Sequence, residues 1–177
     1  MPTLTLEGIN AMTAQAFLGA LGGVFEHSPW IAEGALATRP FANIVELHEA
    51  MTNTVKRASR ERQLALLNAH PELAGKEAQA GALTSSSAAE QASVGLNALS
   101  RQEIEALARW NRAYREKFGF PFIIAVRRYT KASIFSEIER RLANDPQTEL
   151  NACLEQVFLI TRLRLEALLA AQPGSVT

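Results

Sequence analysis

The sequence is poor in residues that cross-link a chain or anchor it to a membrane. Its single cysteine, Cys153, cannot form an intramolecular disulfide, as is typical of a reducing compartment. Cys153 lies in an apolar helical segment, which favours a buried, inert thiol over a nucleophile. No apolar run approaches the roughly 20 residues that span a bilayer. Neither a secretory signal nor a peroxisomal address is evident. We therefore expect a cytoplasmic protein without membrane association.

An excess of charge of one sign is also lacking. Lysine plus arginine number 18, and aspartate plus glutamate number 18, so the formal net charge is zero. Because nucleic-acid-binding proteins usually carry a basic excess, this balance predicts no nucleic-acid partner. The densest basic cluster comprises Lys56, Arg57, Arg60 and Arg62. It is typical of a solvated helix face, with anion or partner binding as the alternative.

Motifs for metal, nucleotide or serine-nucleophile chemistry are missing as well. The sequence has no His-Glu-x-x-His, no cysteine pair and no aspartate-rich loop, so we predict no metal. It has no glycine-rich phosphate loop, and Ser85-Ser86-Ser87 lacks the glycines of a hydrolase nucleophile elbow. These absences weigh against metal, nucleotide and serine-nucleophile chemistry.

Apolar residues recur with a helical period through most of the 177 residues. This pattern predicts an all-α, single-domain, bundle-like fold over residues 1–177, with 171–177 as a flexible tail. Helices are expected at about 13–25, 29–38, 43–57, 59–67, 87–99, 100–118, 134–142 and 148–170. Two segments break the period. Residues 71–86 predict one irregular central loop, and Phe118–Val126, interrupted by Gly119 and Pro121, predicts a short buried extended segment.

Three serines indicate helix starts. Ser28 precedes Pro29 and is expected to cap the short helix that follows it. Ser87 with Glu90, and Ser100 with Glu103, fit the capping box, in which serine and glutamate satisfy exposed backbone amides. For the first of these pairs, contact with a ligand at the helix N-terminus is an alternative that can coexist with capping.

Of the three histidines, His70 is the candidate for chemistry. His27 lies in a turn, and His48 lies in an apolar helical stripe, where a hydrogen-bonded core histidine is the simpler interpretation. His70 ends a helix and precedes Pro71. It is either a helix C-terminal residue favoured by the helix dipole or a proton-transfer group beside the central loop. Position alone does not decide between these two interpretations.

The last helix carries an arginine on its apolar side. At about 100° per residue, Arg164 shares a line with Leu154 and Val157, whereas Arg162 lies on another side near Glu166. An unpaired buried charge is costly, so an inward arginine requires an anionic partner. That partner is either a carboxylate such as that of Glu90 or a small anionic ligand.

Four ordered segments resemble the 2-oxo-4-hydroxy-4-carboxy-5-ureidoimidazoline (OHCU) decarboxylases over nearly the whole chain. They are His70-Pro71-Glu72-Leu73-Ala74-Gly75-Lys76, Leu83-Thr84-x-x-Ser87-x-x-Glu90-Gln91, Phe118-Gly119-Phe120-Pro121-Phe122-Ile123, and Leu163-Arg164-Leu165. The first two segments, in this order and spacing, are the specific part. Glu72 stands where the family often has aspartate. The serine run at 85–87 leaves the register open, and the spacing to Glu90-Gln91 favours Ser87.

The resemblance implies a helical homodimer that needs no metal or organic cofactor. It also implies a step of urate breakdown, in which a small anionic ureidoimidazoline loses carbon dioxide to give (S)-allantoin. The implied catalytic residues are His70 and Glu90. The implied substrate contacts are Pro71, Ser87, Glu90, Gln91, Arg164 and the backbone of Phe122, Ile123, Ile124, Ala125 and Val126. A decarboxylase or lyase for another small ureido acid, and a catalytically silent ligand-binding module, are the alternatives.

Overall fold

Short polar side chains begin most helices of the computed structural model, which describes residues 4–170. Thr5, Thr13, Asn43, Ser100 and Thr130 each accept a hydrogen bond from an otherwise unpaired first-turn amide. The helices are α1 Leu6–Ala11, α2 Ala14–Leu21, α3 Trp30–Leu36, α4 Ile44–Arg57, α5 Arg60–Asn68, α6 Lys76–Gln79, α7 Ser85–Ser93, α8 Arg101–Phe118, α9 Lys131–Arg141 and α10 Pro146–Ala170, with a 3-10 turn at Val126–Arg128.

Residues 4–170 contain these helices and no strand, which confirms the predicted all-α, single-domain class. The short helix α1 was not predicted, because its six residues are too few to show a helical period. The predicted flexible tail at 171–177 lies outside the described residues. None of the described helices combines the length and the apolar character needed to span a lipid bilayer.

Two of the three predicted serine caps are wrong. Ser100 does form a capping box with Glu103. Helix α7, however, begins earlier than predicted, because the Thr84 hydroxyl accepts from the Ser87 amide at 3.3 Å and so takes the capping role. Ser28 does not cap α3, since its hydroxyl donates to the Glu26 carbonyl at 2.8 Å instead.

Both irregular segments are confirmed. The central loop is irregular apart from the four-residue helix α6, and its predicted last two residues, 85 and 86, belong to α7. Helix α7 ends at Ser93 rather than near residue 99, because Gly95 adopts a left-handed conformation with φ of 78°. Gly119, with φ of 81°, ends α8 in the same way, and residues 120–125 then run as buried extended chain.

Contacts group the described residues into two compact units. The first comprises residues 4–66 and 158–170, and the second comprises residues 67–157. The second unit contains α7, the extended segment and the histidine loop, which is His70 together with the central loop that follows it. Its core includes a cluster of aromatic rings, with the Tyr114 centroid 4.6 Å from that of Phe118 and 5.4 Å from that of Phe122.

Candidate active site

His70 is buried immediately beyond the end of α5. Its amide donates to the Leu67 carbonyl at 3.1 Å, and its side chain and backbone together are only 6% exposed. Pro71 follows, which prevents the helix from continuing. The sequence thus places an imidazole inside the second unit, at the start of the central loop.

Helix α7 presents the second predicted motif. Ser87, Glu90 and Gln91 are spaced by three and four residues, which places them on one helix face. Ser87 and Gln91 are buried, and Glu90 is partly buried. Because Thr84 caps the helix, Ser87 and Glu90 do not form a capping box. Their contact with substrate stays a prediction.

Gln91 connects this helix to the histidine loop. Its Oε1 accepts from the Ala74 amide at 2.9 Å, and its Nε2 donates to the Glu72 carbonyl at 3.4 Å. The side chain predicted to contact substrate therefore also holds the turn that follows His70-Pro71. The first two motifs are brought together within the second unit by this amide.

The extended segment is the third part of the candidate site. Helix α7 packs against the 3-10 turn that follows the segment. The Ile123 carbonyl accepts from Arg141 Nη1 at 2.8 Å, and the Ala125 amide donates to Gln156 Oε1 at 2.9 Å. Of the backbone groups implied to contact substrate, the Ala125 amide is therefore already occupied, and the Ile123 amide donates to the Cys153 thiol. The amides of Phe122, Ile124 and Val126 donate no backbone hydrogen bond to the described residues.

A buried polar cluster lies behind the segment. Arg141 and Glu149 form an ion pair at 3.0 Å, and the Tyr114 hydroxyl donates to the same carboxylate. The Cys153 sulfur lies 3.2 Å from Arg141 Nη2 and 3.3 Å from the Tyr114 hydroxyl. Burial raises the pKa of the Tyr114 hydroxyl and of the Cys153 thiol, so both stay protonated at neutral pH.

The Cys153 thiol is fully buried, as predicted. The charged side chains around it, those of Arg141 and Glu149, were not predicted. A signal for Arg141 was present, because it follows Ile134 and Ile138 at helical spacing and so shares their inward face. Inward placement was predicted from the sequence only for Arg164. Glu149, at the start of α10, gave no comparable signal.

Arg164 belongs to the first unit, where it is buried as predicted. Its Nη1 donates to Glu26 Oε2 at 2.8 Å and to the Val24 carbonyl at 3.2 Å. The sequence did not point to Glu26, because that residue lies in a turn and carries no periodic signal. His48, in the same unit, is hydrogen-bonded as expected, with Nε2 3.0 Å from Thr161 Oγ1, but it is only partly buried.

A cavity of about 450 Å³ adjoins the turn after His70 in the second unit. Ala74 and Gln91 line it together with mostly apolar residues of α6, α7, the first turn of α8 and the loops before and after α7. Within residues 4–170 no group of three or more histidine, cysteine, aspartate or glutamate side chains is placed to hold a metal ion.

Comparison with known proteins agrees with the motifs. The sequence profile of OHCU decarboxylase matches residues 10–166. The chain is 44% identical to a 2-oxo-4-hydroxy-4-carboxy-5-ureidoimidazoline decarboxylase of Haloferax volcanii, over 93% of this chain and 96% of that one. It is 39% identical to the enzyme of the same name from Halalkalicoccus jeotgali, over 99% and 97% of the two chains.

A solved structure is similar as well. The crystal structure of (S)-allantoin synthase superposes with a TM-score of 0.73 at 30% identity, covering 93% of this chain and 54% of that one. The profile match spans most of the chain, and the relatives exceed a third in identity over nearly their full length. The chain therefore belongs to the OHCU decarboxylase family.

Proposed function

We propose that this chain is a carboxy-lyase that converts 2-oxo-4-hydroxy-4-carboxy-5-ureidoimidazoline to (S)-allantoin and carbon dioxide in urate breakdown, without a cofactor. The observation that carries the proposal is the buried His70, linked through Gln91 to the helix that bears Ser87 and Glu90. Family membership indicates which substrate to propose, because the relatives are named as decarboxylases of this compound.

The reaction sets two requirements. The bond between the hydroxyl-bearing ring carbon and the carboxylate breaks. Its electron pair forms a C=C bond to the ureido-bearing carbon, while the C=N pair moves to the nitrogen, which takes a proton. The hydroxyl then loses its proton to become the carbonyl, and the ureido-bearing carbon takes a proton from one side only, because delivery from both sides gives racemic allantoin. The site must therefore fix the carboxylate in a plane suited to departure and hold one acid on one face.

The candidate residues suit these tasks. His70 donates the proton directly or through the substrate hydroxyl, since an imidazole changes protonation near neutral pH. Glu90 accepts a hydrogen bond from that hydroxyl. The proposal includes both His70 and Glu90 in the proton transfer.

Oxygen atoms of the substrate need hydrogen-bond donors. In this proposal the Ser87 hydroxyl, the Gln91 amide and the backbone amides of Phe122, Ile124 and Val126 supply neutral donors. Pro71 contacts the substrate beside His70. Arg164 binds an anionic or carbonyl oxygen, because a planar guanidinium with five donors suits such oxygens. These donors stabilise the charge that develops as carbon dioxide leaves.

The test generates the substrate in situ from urate and follows the handedness of allantoin by circular dichroism. We expect rapid formation of the S enantiomer. Racemic product at the uncatalysed rate would show that the proposed function is wrong.

His70→Asn tests the acid. Loss of a general acid is expected to lower kcat by about 10²- to 10⁴-fold, with loss of handedness. His27→Asn is the matched control, because His27 is exposed and its φ of 45° suits asparagine. Wild-type kcat and enantiomeric purity in His70→Asn would remove His70 from the mechanism.

We also propose that the protein is a homodimer in the cytoplasm. The resemblance to the family supports the dimer. The single buried cysteine supports a reducing compartment.

A further inference from the structure

The turn that follows His70-Pro71 is tight. Ala74 has a φ of 47°, a left-handed conformation that residues other than glycine seldom adopt. A Cβ on Gly75 would lie 2.7 Å from the Glu72 Cβ, so the chain passes too close to itself for any side chain there. Such a conformation persists only where surrounding groups hold it.

Side chains from two helices hold this turn. Gln91 of α7 binds the Glu72 carbonyl and the Ala74 amide. Asn111 of α8 donates from Nδ2 to the Leu73 carbonyl at 3.0 Å, which places a hydrogen bond on each of three consecutive residues.

Arg115, one turn further along α8, adds support near the surface. Its Nε donates to Glu72 Oε1 at 2.7 Å, and its Nη1 donates to Asn68 Oδ1 at 3.2 Å. Residues before and after His70 are therefore fixed to the same face of α8.

We infer that Asn111 is a positioning residue for the reaction: it fixes the turn after His70-Pro71 and thereby the imidazole relative to Glu90 on α7. The inference rests on the proposed function. Gln91, which follows Glu90 in α7, binds the same turn at Glu72 and Ala74. Asn111 adds a third hydrogen bond, from α8, which a turn held only by α7 would lack.

Burial explains why asparagine matters at this position. Asn111 is 5% exposed, and its Oδ1 has no hydrogen-bond partner among the described residues. Burying an unsatisfied carbonyl oxygen costs stability, so a leucine of similar volume would serve packing alone better. What asparagine provides at this position is therefore the hydrogen bond that its amide group donates to the Leu73 carbonyl.

The test compares two buried substitutions on α8. Asn111→Leu removes the donor at nearly constant volume, and Leu107→Ala, one turn earlier, destabilises the fold without touching a hydrogen bond. Both variants are assayed under conditions in which they remain folded. We expect Asn111→Leu to lower kcat at least about 10-fold, because small displacements of reacting groups are costly. KM should change less than about 3-fold, since the donors that bind substrate are retained. Leu107→Ala should keep the wild-type kcat.

Hydrogen exchange supplies a readout that does not depend on the substrate. Asn111→Leu should speed exchange of the Ala74 amide beyond the effect of Leu107→Ala at matched global stability. If wild-type protein produces no (S)-allantoin, the proposed function fails, and exchange alone decides whether Asn111 holds the turn. Equal exchange and equal kcat in the two variants would overturn the inference.

Arg115→Gln keeps the inference testable if Asn111→Leu does not fold. Arg115 is a surface side chain, and Arg112→Gln is the matched control at an exposed position of α8. We expect kcat to fall about 3-fold in Arg115→Gln, which is a smaller loss than a displacement of the reacting groups by about 1 Å causes. In Arg112→Gln, kcat should stay unchanged. Equal kcat in both variants would contradict the positioning of His70 from α8.

Discussion

Burial determines the charge of His48 in the first unit. Removal from water lowers the pKa of this imidazole to about 4, and the positive charge of Arg162 acts in the same direction. The ring is therefore neutral at pH 7, where its Nε2 meets the Thr161 hydroxyl at 3.0 Å. A neutral, hydrogen-bonded histidine stabilises the fold only while it stays unprotonated.

This gives a pH dependence of stability with a defined sign. Between about pH 6.5 and pH 4 the unfolded state binds the proton more readily than the folded state, so stability falls as the pH is lowered through that window. From pH 7 to pH 5 we expect wild-type protein to lose about 1 kcal/mol more than His48→Gln, since the partial exposure of the ring weakens the effect. Urea denaturation at both pH values measures the difference. His27→Asn should behave as wild type, and equal losses in wild type and His48→Gln would contradict the assignment.

Helical spacing predicted which residues face inward but not which residues they contact. Arg164 and Cys153 were predicted to be buried from the positions of their apolar neighbours alone. Their partners, Glu26 for the arginine and Tyr114 and Arg141 for the thiol, come from distant parts of the chain. Pairing across such distances depends on tertiary packing, which no local pattern contains.

At the scale of elements, the extended segment is held by two side chains of neighbouring helices. Arg141 of α9 binds the Ile123 carbonyl and lies over the Phe122 ring, 4.4 Å from its centroid. Gln156 of α10 accepts from the Ala125 amide. Segments that are neither helix nor sheet need such partners for their buried backbone groups.

Gln156 offers a conservative test of this arrangement. Gln156→Leu removes the acceptor and leaves the buried Ala125 amide unsatisfied, which should cost about 1 to 3 kcal/mol of stability. Because the neighbouring amides are proposed to bind substrate, we expect kcat/KM to fall about 10-fold, equivalent to 1.4 kcal/mol. Gln156→Glu keeps an acceptor oxygen and should retain most activity. Steady-state kinetics and urea denaturation provide the two readouts.

Two outcomes would count against this role for Gln156. Full activity in Gln156→Leu would mean that the segment needs no anchor at Ala125. Equal losses in the leucine and glutamate variants would mean that the hydrogen bond is not the cause.

The start of α7 shows why element boundaries were harder to predict than elements. Thr84 and Ser87 can both cap a helix, and the sequence favoured Ser87 because Glu90 follows it at capping-box spacing. The structure uses Thr84, which adds hydrogen-bonded residues to the helix. The loop and the extended segment were predictable because glycine, proline and the loss of period are local signals.

At the scale of the whole molecule, the all-α class and the family were predictable. The class follows from a periodicity repeated along the chain, and the family from motifs in a fixed order. The division into two compact units was not predictable. The first unit joins residues from the two ends of the described chain, and α10 supplies residues to each unit.

Charge and surface composition bear on the proposed dimer. Equal numbers of acidic and basic residues mean that two copies do not repel each other strongly at neutral pH. The exposed large apolar side chains among the described residues are Val45, Ile104 and Leu168, which lie on three different helices. An interface of standard size, roughly 800 Å² per partner, would therefore mix polar and apolar contacts.

Light scattering after size exclusion should give twice the 19.3 kDa chain mass at micromolar concentration. Raising the salt from about 0.05 M to about 0.5 M should leave that mass unchanged, because screening weakens surface ion pairs but not apolar burial. A dimer that dissociates in salt would indicate an interface dominated by charge pairs. A mass of 19.3 kDa at both salt concentrations would exclude the dimer. Neither outcome would affect the decarboxylase proposal, since the proposed catalytic residues His70 and Glu90 belong to one unit of a single chain.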